Sequence, residues 1–492
     1  MSISAPSAVR TVANVIAGVE RGAVAGETFE KRSPATGEVI SSVARSDQRD
    51  VELAVAAARE AQPEWARTTV AERGALLRRV TQALESEHEA VAEIVAAETG
   101  KAPKEALGET GAAIEMGYFV AGEGRRFYGR TTTSAVPHRQ AMTVRQPLGV
   151  AGLIIAANTP IANVAWKVFP ALLCGNGAVL KASEDTPETA LIFARLASDA
   201  GLPPGVLNVV QGLGEEAGQP LVEHPDVDVV SFTGSTAVGR MIARVAGERL
   251  AKVCLELGGK NPFVVCDDAD LDGAASAAAL SAYSNAGQRC AAGSRIIVFE
   301  SVYEDFVRRL VERTRAQRVG PGDEHDFGPV INERQLQQML AAVERARERG
   351  ATVLAGGERL SGPEHAGGYY VGPTLLEDAG LDSEIACTEL FGPIATLHRV
   401  RTFDEAVAAA NATPYGLTAA VWTGSVHRAH EFVARIVSGV ASVNGPTYGS
   451  EPHMPFGGER ASGTGWREAG TEALDVYSDL KTVYVNHDPG RI

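Results

Sequence analysis

Between Asp50 and Thr110, the apolar positions of "VELAVAAAREAQPEWARTTVAERGALLRRVTQALESEHEAVAEIVAAETG" fall at helical spacing among Ala, Glu and Arg. That period predicts an opening layer of helices that closes at Gly100. In "RTTTSAVPHRQAMTVRQPLG" the period changes to alternating Thr and Val with an internal Pro, which predicts an exposed hairpin from Arg130 to Pro147. From Gly149 short apolar runs alternate with amphipathic ones: "GVAGLIIAA", "VAWKVFPALLCG", "GAVLKAS", "PETALIFARLASDAG", "GVLNVVQG", "DVDVVSFTG" and "STAVGRMIARVAG". Strands alternating with helices of this length predict βαβ crossovers and a parallel sheet, with ligands bound beyond the strand C-termini. A second such series starts near Asn261, with "NPFVVC", "SRIIVFE", "VYEDFVRRLVERTRAQRVG", "ATVLAGG", "FDEAVAAANAT" and "LTAAVWT". The expected class is therefore α/β, with a domain boundary close to Gly258 and Gly259.

Length and charge narrow the partners. A chain of 492 residues exceeds one ordinary core, so two or three subdomains are expected. It is 45% hydrophobic and 22% charged, as in ordinary globular proteins. A net charge of -15, with no run of Lys and Arg, argues against a nucleic-acid partner. The segment "MSISAPSAVRTVANVIAGVE" lacks a cationic start followed by an apolar stretch, and no apolar run is long enough to span a bilayer. The expected setting is cytoplasmic, without a membrane partner. Five scattered cysteines, at 174, 254, 266, 290 and 387, form neither a disulfide framework nor a metal-ligand spacing. Cys174, Cys254, Cys266 and Cys387 read as buried core residues.

Several short stretches carry candidate chemistry. "VLNVVQGLGEEAGQPLVEH" offers Gly212, Gly214 and Gly218 between a strand and a helix, one residue longer than a dinucleotide fingerprint. "SFTGSTAVGR" sets Gly234, Ser235 and Thr236 at a helix start, which suits either an anion such as pyrophosphate or a plain N-cap. Lys181 and Glu184 end a strand, as a solvated pair or as a grip on ribose hydroxyls. In "KVCLELGGKNP", Glu256 lies among Val, Cys and Leu, where desolvation would raise its pKa toward that of a general base; an outward strand-end carboxylate fits the segment equally. In "SNAGQRCAAGSR", Arg289 and the small residues after Cys290 would favour a reactive thiolate, although this stretch alone fits a core cysteine better.

Taken in order, "FTGSTAVGR", "LELGGKNP", "GQRCAAGSR", "ELFGPI", "YGLTAAVWT" and "PFGGERASGTG" resemble the aldehyde dehydrogenase superfamily over nearly the whole chain. The resemblance implies a Rossmann-like cofactor domain (residues 1–123 and 148–258), an α/β catalytic domain (259–469) and a small β oligomerisation element (124–147 and 470–492). A homodimer or homotetramer follows from it. It also implies NAD(P)-dependent oxidation of a small-molecule aldehyde to the acid. Cys290 would be the nucleophile, Asn158 with the Cys290 N–H would hold the oxyanion, and Glu256 would activate the hydrolytic water. For the cofactor, the resemblance assigns Lys181, Glu184, Gly214, Gly234, Ser235, Glu389 and Phe391, and no metal. A carboxylate at 184 favours NAD over NADP, because it would repel a 2′-phosphate.

The chain departs from the family pattern at "AANTP", where Asn158 survives but a tunnel aromatic does not, and at Arg460, where a lysine is usual. Trp466 stands as an extra residue before Glu468, which argues against a proton-relay role for Glu468. The resemblance implies that Thr159, Asn163, Trp166, Arg289, Ala291, Tyr448 and His453, with the segment Thr447 to Met454, should line the aldehyde entrance. Asn163, Arg289 and His453 suit a carboxylate-bearing semialdehyde, whereas Trp166 and Tyr448 suit an aromatic substrate; the semialdehyde is favoured. The presence of Glu256 favours hydrolysis over transfer to coenzyme A. Intact candidate residues argue against a purely structural protein, and no histidine stands in a motif that would make Cys290 a hydrolase nucleophile.

Overall fold

The computed structural model describes residues 9–491, so Met1 to Ala8 and Ile492, which the readings of the N-terminus and of the terminal domains included, lie outside the described residues. The opening helices are Gln48–Arg67, Val70–Ser86, His88–Thr99 and Pro103–Gly122. Local chemistry sets their ends. Thr69 and Glu72 form a capping box at the second, and Gly100 closes the third in the left-handed region at φ 74°.

Two seven-stranded sheets dominate the molecule. In the first, Lys252–Glu256, Val229–Thr233, Val150–Ile154, Gly177–Lys181 and Leu207–Val210 run parallel in that spatial order. Strands covered on both faces need continuous apolar runs, and every residue of Val150–Ile154, Gly177–Lys181 and Leu207–Val210 is buried. Two N-terminal strands, Asn14–Ile16 and Val19–Arg21, extend this sheet antiparallel beyond Leu207–Val210. At three residues each, they are too short to leave a period in the sequence. The order in which successive strands are added reverses at Val150–Ile154, which neighbours both Gly177–Lys181 and the later Val229–Thr233. Ligand crevices of open α/β sheets form at such a switch point, here between the loops that follow Ile154 and Thr233.

The second sheet orders Thr352–Ala355, Thr374–Glu377, Ile394–Val400, Arg295–Phe299, Pro262–Val265, Thr418–Trp422 and Val440–Val443. All its pairings are parallel except that of the edge strand Thr352–Ala355. A third, antiparallel sheet joins Thr131–Thr133 and Arg139–Pro147 to the late strand Ser478–Asn486. Cys174, Cys254 and Cys266 are buried in the cores, whereas Cys387 is only half-buried at the end of the short helix Glu384–Cys387, where its thiol donates to the Leu381 carbonyl. The core reading of Cys387 is thereby corrected. No helix among the described residues is long and apolar enough to cross a membrane, and no group of three or more metal-ligating side chains occurs among them.

Candidate active site

Cys290 stands in a loop after the helix Leu271–Tyr283, entered through Asn285, Ala286 and Gly287 at φ 54°, 53° and 65°. Two non-glycine residues in the left-handed region mark a loop held by its surroundings. Asn285 donates from Nδ2 to the Asn158 carbonyl (3.2 Å) and to the Gln288 carbonyl (3.2 Å), and its N–H donates to Glu105 Oε1 (2.9 Å). Asn261 braces the other side, donating to the carbonyls of Cys290 (2.8 Å) and Ala292 (2.9 Å). Thr447, buried, donates to the Ala291 carbonyl at 2.7 Å.

Asn158 reaches this loop from the end of the first sheet, with its Nδ2 donating to the Gln288 carbonyl at 3.0 Å. A side-chain amide carries two N–H donors, so one remains for a further acceptor. The Asn158 backbone is fixed by Lys101, whose ammonium also pairs with Glu109 at 2.5 Å. Glu109 in turn accepts from the Ile161 N–H (3.0 Å), capping the helix Pro160–Leu173.

The paired glycines of "LELGG" are explained by close approach. A side chain at 258 would collide with the Glu389 carboxylate, and a Cβ at 259 would lie 2.7 Å from the Cys290 carbonyl oxygen. Glu389 accepts from the Gly259 N–H at 3.0 Å, and burial pushes its carboxyl up to about 7. Phe391 follows in the left-handed region at φ 55°.

Glu256 ends the strand Lys252–Glu256, buried, with neither carboxylate oxygen hydrogen-bonded. Burial first, and then the charge of Glu468, raises its pKa well above the carboxylate range. Burial also pushes the Cys290 thiol up to about 12, reinforced by Glu389 and Glu256. Arg289 was expected to favour the thiolate. Its pull is weaker than all of these, because its guanidinium stacks on Tyr448 at 4.7 Å and donates from Nε to Ser284 Oγ at 3.2 Å.

The other residues expected to hold the cofactor stand at or after the C-terminal ends of strands in the first sheet. Lys181, buried, pairs with Glu184 at 3.2 Å. Ser235 N-caps the helix Thr236–Glu248, its hydroxyl accepting from the Val238 N–H at 3.4 Å, and is exposed. A Cβ at Gly214 would meet open space, as a surface admitting a ligand requires. Gly234 differs, since a side chain there would run into the Phe232 ring; its glycine serves the protein's own packing. The turn Gly214–Gly218 is a single wide helical turn leading into a helix of only five residues, Gln219–Glu223.

Of the residues expected at the aldehyde entrance, Asn163 donates from Nδ2 to the Thr159 carbonyl (2.9 Å) and hydroxyl (3.1 Å), and Trp166 packs edge-on against Phe456. Ala291 is buried. His453 is exposed, 3.5 Å from Glu451, and no hydrogen bond ties it to the Cys290 loop. Lys101, Glu105, Glu109, Asn261 and Asn285 all hold the site, and the sequence reading assigned none of them a role. The extra residue Trp466 does not remove Glu468 from the site. Glu468 is buried, paired with Lys167 and accepting from Ser231 Oγ at 2.9 Å, close enough to raise Glu256.

The model of the aldehyde dehydrogenase family matches residues 22–483. The chain belongs to that family. Among relatives of this aldehyde dehydrogenase, an alpha-ketoglutarate semialdehyde dehydrogenase of Haloferax volcanii is 41% identical over 461 residues, covering 93% of this chain and 96% of the relative. An alpha-ketoglutaric semialdehyde dehydrogenase of Bacillus subtilis is 38% identical over 463 residues, covering 94% and 95%. In structure, the chain is similar to a betaine aldehyde dehydrogenase of Staphylococcus aureus in complex with NAD+, with TM-score 0.95, 32% identity and coverage of 97% and 95%.

Proposed function

We propose that this NAD-dependent aldehyde dehydrogenase oxidises a short semialdehyde bearing a carboxylate at its far end. One observation carries the substrate class: Arg289, next to the nucleophile, spends one of its five N–H donors on a hydrogen bond, to Ser284. Its Nη2 forms a long ion pair with Glu105 Oε1 at 3.8 Å, and Tyr448 holds its plane. A guanidinium so oriented, with free donors, is suited to bidentate capture of a carboxylate. The two semialdehyde dehydrogenases among the relatives support this reading.

The residues fit the cofactor. Lys181 and Glu184 would hold the adenosine ribose, Ser235 and the helix start behind it the pyrophosphate beside Gly234, open Gly214 the neighbouring surface, and Glu389 with Phe391 the nicotinamide riboside. NAD, when bound, supplies the acceptor for the hydride leaving the aldehyde carbon. Glu184 favours NAD over NADP by charge.

The protein's own groups perform the rest. With its thiol pushed up to about 12, Cys290 needs a proton acceptor, and Glu256, raised and without partners, is matched to that task. The Cys290 sulfur then bonds the aldehyde carbon, and the free Asn158 N–H with the Cys290 N–H receives the oxyanion. Once the thioester has formed, Glu256 releases the Cys290 proton to solvent and then takes a proton from the water that attacks the thioester; the departing thiolate takes that proton back, which releases the acid and restores the thiol. For assembly, the exposed strand Ser478–Asn486, with Leu480 and Tyr484 half-exposed or more, pairs with a second copy to give a dimer or a dimer of dimers. Sedimentation showing only monomer at micromolar concentration would overturn that assembly.

The substrate reading is tested by NADH formation on aliphatic, aromatic and carboxylate-bearing aldehydes of equal length, with wild type and Arg289→Met. The expected result is a lower KM for the carboxylate-bearing aldehydes, lost in Arg289→Met while simple aldehydes are unaffected. Equal KM values in wild type would sink it.

A further inference from the structure

Lys31 is a buried lysine whose Nζ has no hydrogen-bond partner. Its side chain is 3% exposed, and Asp185 Oδ1 lies 4.0 Å away. An ammonium buried this way is retained only where charges around it compensate. Two carboxylates do so. Glu98 is wholly buried and caps the helix Pro187–Asp199, accepting from Glu188 N (2.7 Å), Thr189 N (3.0 Å) and Thr189 Oγ1 (2.6 Å). Asp185 accepts at its other oxygen from Asn332 Nδ2 (3.0 Å), the N-cap of the helix Glu333–Glu348.

Asp185 belongs to the turn Ser183 to Thr186, closed by Thr186 N on the Ser183 carbonyl at 3.1 Å. Its neighbour in that turn is Glu184, the partner of Lys181. Three acids, Glu98, Glu184 and Asp185, therefore face two ammonium groups, Lys31 and Lys181, with a weaker pull on Glu184 and Asp185 from the Arg334 guanidinium. Burial pushes Asp185 up, and Lys31 pulls it back down. Burial likewise lowers Lys31, opposed by Asp185 and Glu98.

We propose that Lys31, on the strand Thr28–Arg32, is a positioning residue for NAD: by balancing Asp185 it leaves Lys181 to Glu184 and fixes the turn that presents Glu184 to the ribose. The proposal rests on the assignment of Lys181 and Glu184 to the cofactor. Without Lys31, Lys181 is drawn toward Asp185 as well, and the Glu184 carboxylate loses its set position.

The test is the NAD dissociation constant measured without aldehyde, by quenching of intrinsic fluorescence, beside steady-state kinetics. Lys31→Met is expected to weaken NAD binding and raise its KM about tenfold, with kcat at saturating NAD within about twofold. In an Asp185→Asn background, Lys31→Met should add less than about twofold, because the charge it balances is gone. That double variant also serves if Lys31→Met alone does not fold, and a further loss of NAD affinity in it overturns the proposal. Unchanged NAD binding in Lys31→Met, with weakened binding in Glu184→Gln, also overturns it. Unchanged binding in both variants overturns the assignment of the ribose pair itself.

Discussion

Glu256 and Glu109 are equally hidden, at 5% and 8% exposure, yet they sit in opposite electrostatic situations. Glu109 has a lysine at 2.5 Å and the start of a helix on its other oxygen. Glu256 has no hydrogen bond on either oxygen and a second acid, Glu468, close by. A carboxylate whose acceptors are filled is pinned and serves architecture; one left empty at the cost of desolvation is free to take a proton. Burial alone does not separate the two roles.

The largest effect expected from this contrast lies at Glu256. Glu256→Gln should lower kcat about 10³-fold, within the range of lost acid–base catalysis, and a Cys290 acyl-enzyme should accumulate in intact mass spectra. Its stability should not fall. Because the folded pKa of Glu256 is raised, its contribution to stability is full below the unfolded value and lost as pH rises through the folded one. Wild type should therefore lose stability relative to Glu256→Gln as pH rises. Glu256 must be ionised to accept the Cys290 proton, so kcat/KM in wild type should climb as pH rises above the ordinary carboxylate range. A flat profile would show that Glu256 does not titrate during turnover.

Glu109→Gln should behave in the reverse way. Removing one member of a buried pair strands the other, which costs about 3–5 kcal/mol. Urea unfolding should register that loss, while the enzyme that remains folded keeps most of its kcat. A large kcat loss without destabilisation would break the distinction between filled and empty carboxylates.

Asn158 falls between these cases, with one amide proton committed to Gln288 and one free. Asn158→Ala should lower kcat about 10²-fold through the oxyanion, with KM for the aldehyde little changed. The loop should persist in the variant, because Asn285 also donates to the Gln288 carbonyl.

The same contrast explains what the sequence could disclose. The two strand series and the Arg130 to Pro147 hairpin each carry a local period and are found where it placed them, whereas the helical layer, expected to close at Gly100, continues through Pro103–Gly122. Glu256 stood out because an acid among Val, Cys and Leu is a local anomaly. Cys290 did not, and only the order of long motifs singled it out. Lys101, Glu109 and Asn285 escaped because the role of each depends on partners set by tertiary contact: Asn158 lies 57 residues from Lys101 and 127 from Asn285. Arg289 misled for a related reason. Adjacency in sequence promised a charge on the thiol, whereas the guanidinium turns onto Tyr448 and burial outweighs it.

The smallest expected effect is at Ser235, whose hydroxyl is filled, but weakly, by the Val238 N–H at 3.4 Å. A cap that long leaves an exposed hydroxyl able to turn toward an anion without a large loss to the helix. Ser235→Ala should therefore cost at most about 1 kcal/mol in unfolding, the usual scale of a lost cap. It should also weaken NAD binding a few-fold while kcat at saturating NAD holds. Ser235→Gly, which keeps most of the cap preference without the hydroxyl, separates the two roles. Equal NAD affinity in Ser235→Gly and wild type would make Ser235 a cap alone, and would place it with Glu109 among the residues whose bonds are already spoken for.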